Sequence, residues 1–170
     1  MAEGEPDHAD VLIGPCSLGK GLFAARAFAA GELILRFRGS LIDFRTVLSR
    51  GEAQANPLQI GLDRYIDLEA PGVFANHSCD PNAGIRNDVE LIALQGITSG
   101  EEIRYDYSTT MWEDHWTMRC DCRTSCCRGV IADFHTLPQM QQRSYLHRGI
   151  VQRFIAEPLT GPATPDAVSA

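Results

Sequence analysis

Turn-forming residues cut this chain into short pieces, roughly every 8–12 residues from Val11 to Tyr107, and no other feature restricts its fold so strongly. Val11-Leu12-Ile13 and Gly21-Leu22-Phe23 read as strands separated by turn residues. After Gly31, Glu32–Arg38 reads as a longer strand, with Leu41-Ile42 as its hairpin partner across Gly39-Ser40. Asp43 is placed to cap a short helix over Phe44–Arg50 that stops at Gly51, and 51–57 reads as a loop. Strand signals resume at Leu58–Leu62 and Tyr65–Leu68, then at Ala83–Arg86 and Val89–Leu94, which flank a tight turn at Asn87-Asp88. Ser99-Gly100 is a further turn, followed by a strand over Glu102–Tyr107. The pattern predicts a mainly β (α+β) domain and argues against a doubly wound α/β sheet. Gly19-Lys20-Gly21 lacks the later glycine and helix that a dinucleotide site requires.

One convincing helix follows late. Thr136 is its expected cap, Pro138 suits its first turn, and Met140, Tyr145 and Leu146 recur at roughly helical spacing. His147 and Arg148 suit its negative end, and Gly149 a left-handed exit. Ile150, Val151, Phe154 and Ile155 form a second apolar cluster, so this segment reads as a C-terminal cover.

At 170 residues the chain can bury one ordinary core, and its net charge of −7 argues against a direct grip on nucleic acid, which needs clustered Lys and Arg. An acidic surface is compatible with a basic substrate. The N-terminus has neither the basic nor the apolar region of a secretory signal, and no apolar run approaches the roughly 18 residues of a membrane span. The expectation is an intracellular, cytoplasmic protein without membrane contact, or a nuclear one if its source is eukaryotic.

Four of the six cysteines, Cys120, Cys122, Cys126 and Cys127, crowd into eight positions. Inside a cell such a cluster points to metal in preference to disulfides, and soft thiolates point to a tetrahedral structural zinc. Adjacent cysteines rarely face one ion. Three ligands are therefore expected here and a fourth from elsewhere, with Cys79 and Cys16 as candidates. The plain alternative is a set of free thiols on a loop.

Gly19–Ala24, Asn76–Asn82, Gly100–Tyr107 and Cys120–Gly129, in this order, together resemble the SET-domain protein lysine methyltransferases, in particular small bacterial and fungal members. Gly19-Lys20-Gly21-Leu22-Phe23-Ala24 resembles the Gly-x-Gly segment that opens such a domain, and Ala30–Leu35 the strand entry after it. Asn76-His77-Ser78-Cys79-Asp80-Pro81-Asn82 matches the family heptapeptide at every position. Gly100–Tyr107 resembles the closing motif with Ile103 in place of Leu, and Cys120-x-Cys122-x4-Cys127-Arg128-Gly129 matches the post-SET zinc segment.

The resemblance implies a SET β-clip fold with a pseudoknot-like threaded strand, a post-SET zinc loop and a C-terminal helix. Its expected divisions are a flexible N-terminus (1–10), the SET domain (11–110), the post-SET segment (111–131), a helical cover (132–156) and a flexible tail (157–170). It implies transfer of a methyl group from S-adenosylmethionine to a lysine of a protein or peptide, histone or non-histone. Lys20, Gly21 and Leu22, through backbone groups, with Phe37, Asn76, His77 and Tyr107, are the implied cofactor residues. Tyr107 and Tyr105 are the implied catalytic pair, and a tyrosine at 105 implies mono- or dimethylation. Cys79, Cys120, Cys122 and Cys127 are the implied zinc ligands, with Cys126 and Cys16 as bystanders.

Two departures stand out. Phe37-Arg38-Gly39-Ser40 carries Phe where many relatives have Tyr, and Pro71–Ala75 replaces the common segment before the heptapeptide. The rival from another class is a SET-fold binding module without catalysis. A zinc hydrolase fits poorly, because four thiolates leave no open position for water.

Overall fold

A computed structural model describes residues 8–51 and 56–160. What was expected of 1–7, of 52–55 and of 161–170 lies outside the described residues. In chain order the strands are Val11–Cys16 (β1), Gly19–Ala24 (β2), Leu33–Arg36 (β3), Gly39–Ile42 (β4), Leu58–Gly61 (β5) and Arg64–Leu68 (β6). They continue as Asn76–His77 (β7), Ala83–Arg86 (β8), Glu90–Ala93 (β9), Arg104–Tyr105 (β10), Met118–Arg119 (β11) and Val130–Ile131 (β12). The helices are Phe44–Leu48 (α1), Gln139–His147 (α2) and Arg153–Thr160 (α3).

Local chemistry explains the elements that form as expected. Asn87 and Asp88 take φ values of 51° and 67° in a three-residue turn, completed by Val89, that joins β8 to β9. Asp43 caps α1 by accepting from the Thr46 N–H at 2.8 Å. Gly149 leaves α2 with φ 65°.

Other elements depart from expectation. Gly39-Ser40 is not a hairpin turn; it begins β4, which pairs with β6, while β3 pairs with β9. A Cβ on Gly39 would lie 1.9 Å from the Asp67 carbonyl oxygen, so glycine serves a close strand approach there. The strand expected over Glu102–Tyr107 shrinks to β10, because the Asp106 side chain accepts from the Ser108 N–H and caps a 3-10 turn over Tyr107–Thr110. Thr136 does not cap α2; it ends a separate 3-10 turn, and its hydroxyl donates to the Asp133 carbonyl. Met140 is 86% exposed and no part of an apolar stripe. α3 runs past Ala156 to Thr160.

The main core is built from β2, β3, β8 and β9 around Leu22, Ile34, Ile85, Leu91, Ile97 and Ile103. A second cluster, Phe134, Tyr145, Ile150 and Ile155, packs on Ile92 of β9. Each such side chain contributes about 1.5–3 kcal/mol by leaving water. A third cluster, Cys79, Met111, Cys120, Cys122 and Ile131, lies at the post-SET end. No helix among the described residues is long and apolar enough to cross a membrane.

Candidate active site

Two distant motifs meet through a short parallel pairing. β7 lies against β10 with Asn76 opposite Arg104 and His77 opposite Tyr105. The Ser78 N–H donates to the Tyr105 carbonyl at 3.0 Å. Asn82 splints the same junction: its amide donates to the Glu102 carbonyl at 2.8 Å, and its oxygen accepts from the Arg104 N–H at 2.9 Å. Heptapeptide and closing motif are thus fixed to each other by backbone geometry.

Asn76 turns toward β2. Its amide donates to the Lys20 carbonyl at 2.9 Å and to Glu102 Oε1 at 3.0 Å. A Cβ on Gly21 would stand 2.6 Å from that Glu102 oxygen, so a larger residue there would push the Glu102 carboxylate off Asn76. Leu22 buries its side chain, and its carbonyl accepts from the Ile103 N–H at 2.7 Å. Beside Asn76 lies a cavity of about 450 Å³ lined by Leu18, Asn76, His77, Tyr107, Met118 and Cys122, among others. Of the implied cofactor residues, Asn76, His77 and Tyr107 line it.

A second, narrow cavity of about 60 Å³ is also lined by Tyr107. Tyr65, Tyr105, Tyr107, Glu113 and Trp116 supply its polar and aromatic wall. The Tyr105 and Tyr107 rings are 4.9 Å apart, and the Tyr107 hydroxyl donates to the Ala75 carbonyl at 2.9 Å. Burial raises the pKa of both phenols, so both are protonated at neutral pH. Phe37 lines neither cavity; it lies in the core, 4% exposed, with its ring 5.9 Å from that of Tyr105.

The post-SET end gathers potential metal ligands. His77, Cys79, Cys120 and Cys122 offer ligand atoms all within 4.8 Å of one another. Cys127 is not in that group; its thiol donates to the Cys120 carbonyl at 3.7 Å. Cys79 and Cys120 Sγ are 3.7 Å apart. That separation is close to the ~3.8 Å edge of a tetrahedron with Zn–S bonds of about 2.3 Å. His77 is differently engaged: the Tyr107 N–H donates to its Nδ1 at 3.2 Å, which leaves the ring proton on Nε2, 3.3 Å from Cys79 Sγ. Burial holds the imidazole neutral, with its pKa lowered to about 4. Burial pushes the Cys79 thiol up to about 11 and the Cys120 thiol higher still. At Cys122 burial pushes the same way, but hydrogen bonds from the Thr124 hydroxyl and from backbone N–H groups outweigh it and bring the thiol to about 6. Cys126 is exposed, and Cys16 lies apart at the end of β1.

Asp106, 1% exposed between the two tyrosines, joins these parts. Its oxygens accept from Arg128 at 2.7 and 2.8 Å and from the Tyr145 hydroxyl at 3.0 Å. Arg128 and Glu102 stood within quoted motifs without a role, and their partners were invisible until the fold brought them together. Nothing in the sequence marked Glu113 or Trp116, and Tyr145 read only as an apolar position of the late helix.

Residues 19–108 match the SET domain family. Human histone-lysine N-methyltransferase 2B is 30% identical over 128 residues, covering 65% of this chain and 5% of that protein. Histone-lysine N-methyltransferase ASHH3 of Arabidopsis thaliana is 29% identical over 127 residues, covering 65% of this chain and 34% of that protein. The chain thus spans a minor part of these relatives' own length. A humanized mutant of the Chaetomium thermophilum Polycomb Repressive Complex 2, bound to the inhibitor GSK126, aligns with TM-score 0.52 and 23% identity over 59% of this chain and 15% of that chain. That likeness bears on the fold, and it agrees with the β-rich arrangement and the paired motif strands described above. The chain belongs to the SET-domain family.

Proposed function

We propose that the protein is an S-adenosylmethionine-dependent protein lysine methyltransferase. The observation that carries this reading is the position of Tyr107, which lines both the 450 Å³ cavity and the 60 Å³ cavity. The larger volume is within the ~300–1,000 Å³ of small-molecule sites, and the narrow slot suits one unbranched side chain. Donor and acceptor in separate cavities with a shared wall is the geometry that a direct group transfer needs.

The residues present fit the cofactor. Asn76 offers an amide at the larger cavity, and Gly21 leaves room for its contacts with Lys20 and Glu102. S-Adenosylmethionine supplies an electrophilic methyl group on a sulfonium sulfur. Lys20, Gly21 and Leu22 with Asn76 and His77 would hold it, and Phe37 would act from behind Tyr105. The Tyr107 proton is committed to Ala75, which leaves the phenol oxygen as an acceptor for an amine N–H. Tyr107 therefore orients the lysine and does not deprotonate it. The lysine, whose ordinary pKa is about 10.4, must shed a proton before its lone pair can attack the methyl group. Tyr105 adds a second hydroxyl to this wall, which supports mono- or dimethylation over trimethylation.

We further assign Cys79, Cys120, Cys122 and Cys127 to one structural zinc. The donor set is soft, and the Cys79–Cys120 separation suits a tetrahedron. The proton on His77 Nε2 makes that ring a donor to the Cys79 sulfur and leaves the fourth position to Cys127. None of the six cysteines is in a disulfide, which suits a reducing compartment. The net charge of −7 suits a basic protein partner, histone or non-histone.

Calorimetry of S-adenosylmethionine on the zinc-loaded protein tests the reading. Micromolar binding that is lost in Asn76→Ala, with labelled methyl transfer to core histones or a lysine peptide array that is lost in Tyr107→Phe, is the expected result. A folded, zinc-replete protein that does not bind the cofactor refutes it and leaves a SET-fold binding module.

A further inference from the structure

Glu113 is the one acidic or basic side chain among the described residues lining the Tyr105–Tyr107 cavity. It is firmly held. Its backbone N–H and that of Asp114 donate to Asp133 Oδ2 at 3.0 and 2.6 Å. The preceding residue is bracketed by Gln59, whose oxygen accepts from the Trp112 N–H at 2.8 Å and whose amide donates to the Trp112 carbonyl at 3.3 Å. The Glu113 carboxylate accepts from the Tyr65 hydroxyl, and Tyr65 in turn stacks on Phe44 with ring centroids 6.1 Å apart. Among the described residues no Lys or Arg pairs with it.

A half-buried carboxylate without a cationic partner is a poor choice for stability alone. Burial raises its pKa, Asp133 adds to that, and the Tyr65 hydroxyl, His115 and the Trp116 N–H only partly offset it. The surrounding wall suits a cation. Tyr65, Tyr105, Tyr107 and Trp116 offer aromatic rings, and an ammonium over such rings is attracted by their quadrupoles. The slot is too narrow for a large ligand and is also lined by Val47, Leu58, Leu68 and Val73, which suit methylenes.

We infer that Glu113 is a substrate-selecting residue: its carboxylate, held by Tyr65 at the wall of this cavity, draws in and holds the ammonium of the substrate lysine. The inference rests on reading this cavity as the lysine slot. It assigns selection to the residues just after the closing motif, where neither the heptapeptide nor the cysteines reach. Glu113 thereby also explains why the pocket admits a positive side chain although the reaction consumes a neutral amine. Capture and deprotonation are separate steps, and Glu113 serves the first.

The test uses the zinc-loaded protein with Nα-acetyl-lysine methylamide as probe and Nα-acetyl-norleucine methylamide as its uncharged counterpart, followed by NMR titration. Glu113→Gln keeps an acceptor for the Tyr65 hydroxyl, and its affinity for S-adenosylmethionine by calorimetry should equal that of wild type, which reports an intact fold. The expected result is lysine-over-norleucine preference in wild type and a loss of about tenfold or more in lysine affinity in Glu113→Gln, the size of a charge-assisted contact. Glu113→Asp should recover part of it. Unchanged lysine affinity in Glu113→Gln, or no lysine preference in wild type, overturns the inference. Failure of the wild-type protein to bind S-adenosylmethionine instead overturns the methyltransferase reading, so the two failures are separable.

Discussion

Arg128→Leu is the most informative single perturbation of this fold. Asp106 is fully buried between Tyr105 and Tyr107 and accepts both Arg128 guanidinium contacts, at 2.7 and 2.8 Å. Removing the guanidinium leaves a carboxylate without access to water and with only neutral donors, the Ser108 N–H at 3.1 Å and the Tyr145 hydroxyl at 3.0 Å. Breaking a buried ion pair in this way costs about 3–5 kcal/mol. Against a typical domain stability of roughly 5–15 kcal/mol, that is a large share. Asp106→Asn should cost less. The Arg128 side chain keeps 16% exposure against 0% for Asp106, so the orphaned guanidinium can still reach solvent. Urea unfolding of the zinc-loaded protein, followed by tryptophan fluorescence, measures both variants. A loss below about 1 kcal/mol for Arg128→Leu, the range of an exposed pair, refutes the reasoning. So does an Asp106→Asn variant less stable than Arg128→Leu.

The other predictions concern metal, methylation degree and pH. Purified protein should hold one zinc per chain by elemental analysis; Cys79→Ser or Cys127→Ser should lose it, while Cys126→Ser and His77→Gln should retain it. Chelation should abolish S-adenosylmethionine binding together with zinc, because metal binding is coupled to local folding. Tyr105→Phe should shift the product mass spectrum toward trimethyllysine, and an unchanged distribution counts against the assigned role of that hydroxyl. Glu113 has a folded-state pKa above its ordinary value, so the stability its protonated form supports is present at low pH and lost as pH rises through the folded value. Glu113→Gln lacks this loss: its unfolding midpoint should match wild type in acid and exceed it at neutral pH.

Local signals were legible in the sequence and long-range ones were not. The turn at Asn87-Asp88, which also takes in Val89, and the Asp43 cap each depend on a few consecutive residues, and both form where the sequence placed them. The pairings of β3 with β9 and of β4 with β6 depend on residues far apart in sequence, so a glycine placed for close approach at Gly39 looked like a turn. Tyr107 looked like a strand residue because tyrosine favours strands, yet the Asp106 cap turns the chain at that point. The motif residues Asn76, His77, Tyr105 and Tyr107 do converge, since family motifs record spatial neighbours that spacing alone does not. Glu113 and Trp116 carry no such pattern and became visible only as walls of a cavity.

On the proposed zinc assignment, metal and chemistry would be coupled. Tyr107 is fixed from two directions. Its N–H donates to His77 Nδ1, and the far nitrogen of that ring faces the Cys79 sulfur. On its other side Asp106 is clamped by Arg128, the residue after Cys127. Two of the proposed zinc ligands are therefore one contact or one residue away from the groups that set the phenol's position. An ion joining Cys79 to Cys127 closes that loop, and without it the His77 ring and the Arg128 guanidinium lose a common anchor. A displacement of about 1 Å at a reacting centre can cost roughly a hundredfold in rate. A zinc held as proposed would therefore matter more to the placement of Tyr107 than to the main core, which lies around Ile34, Leu91 and Ile103 and does not include the cysteines.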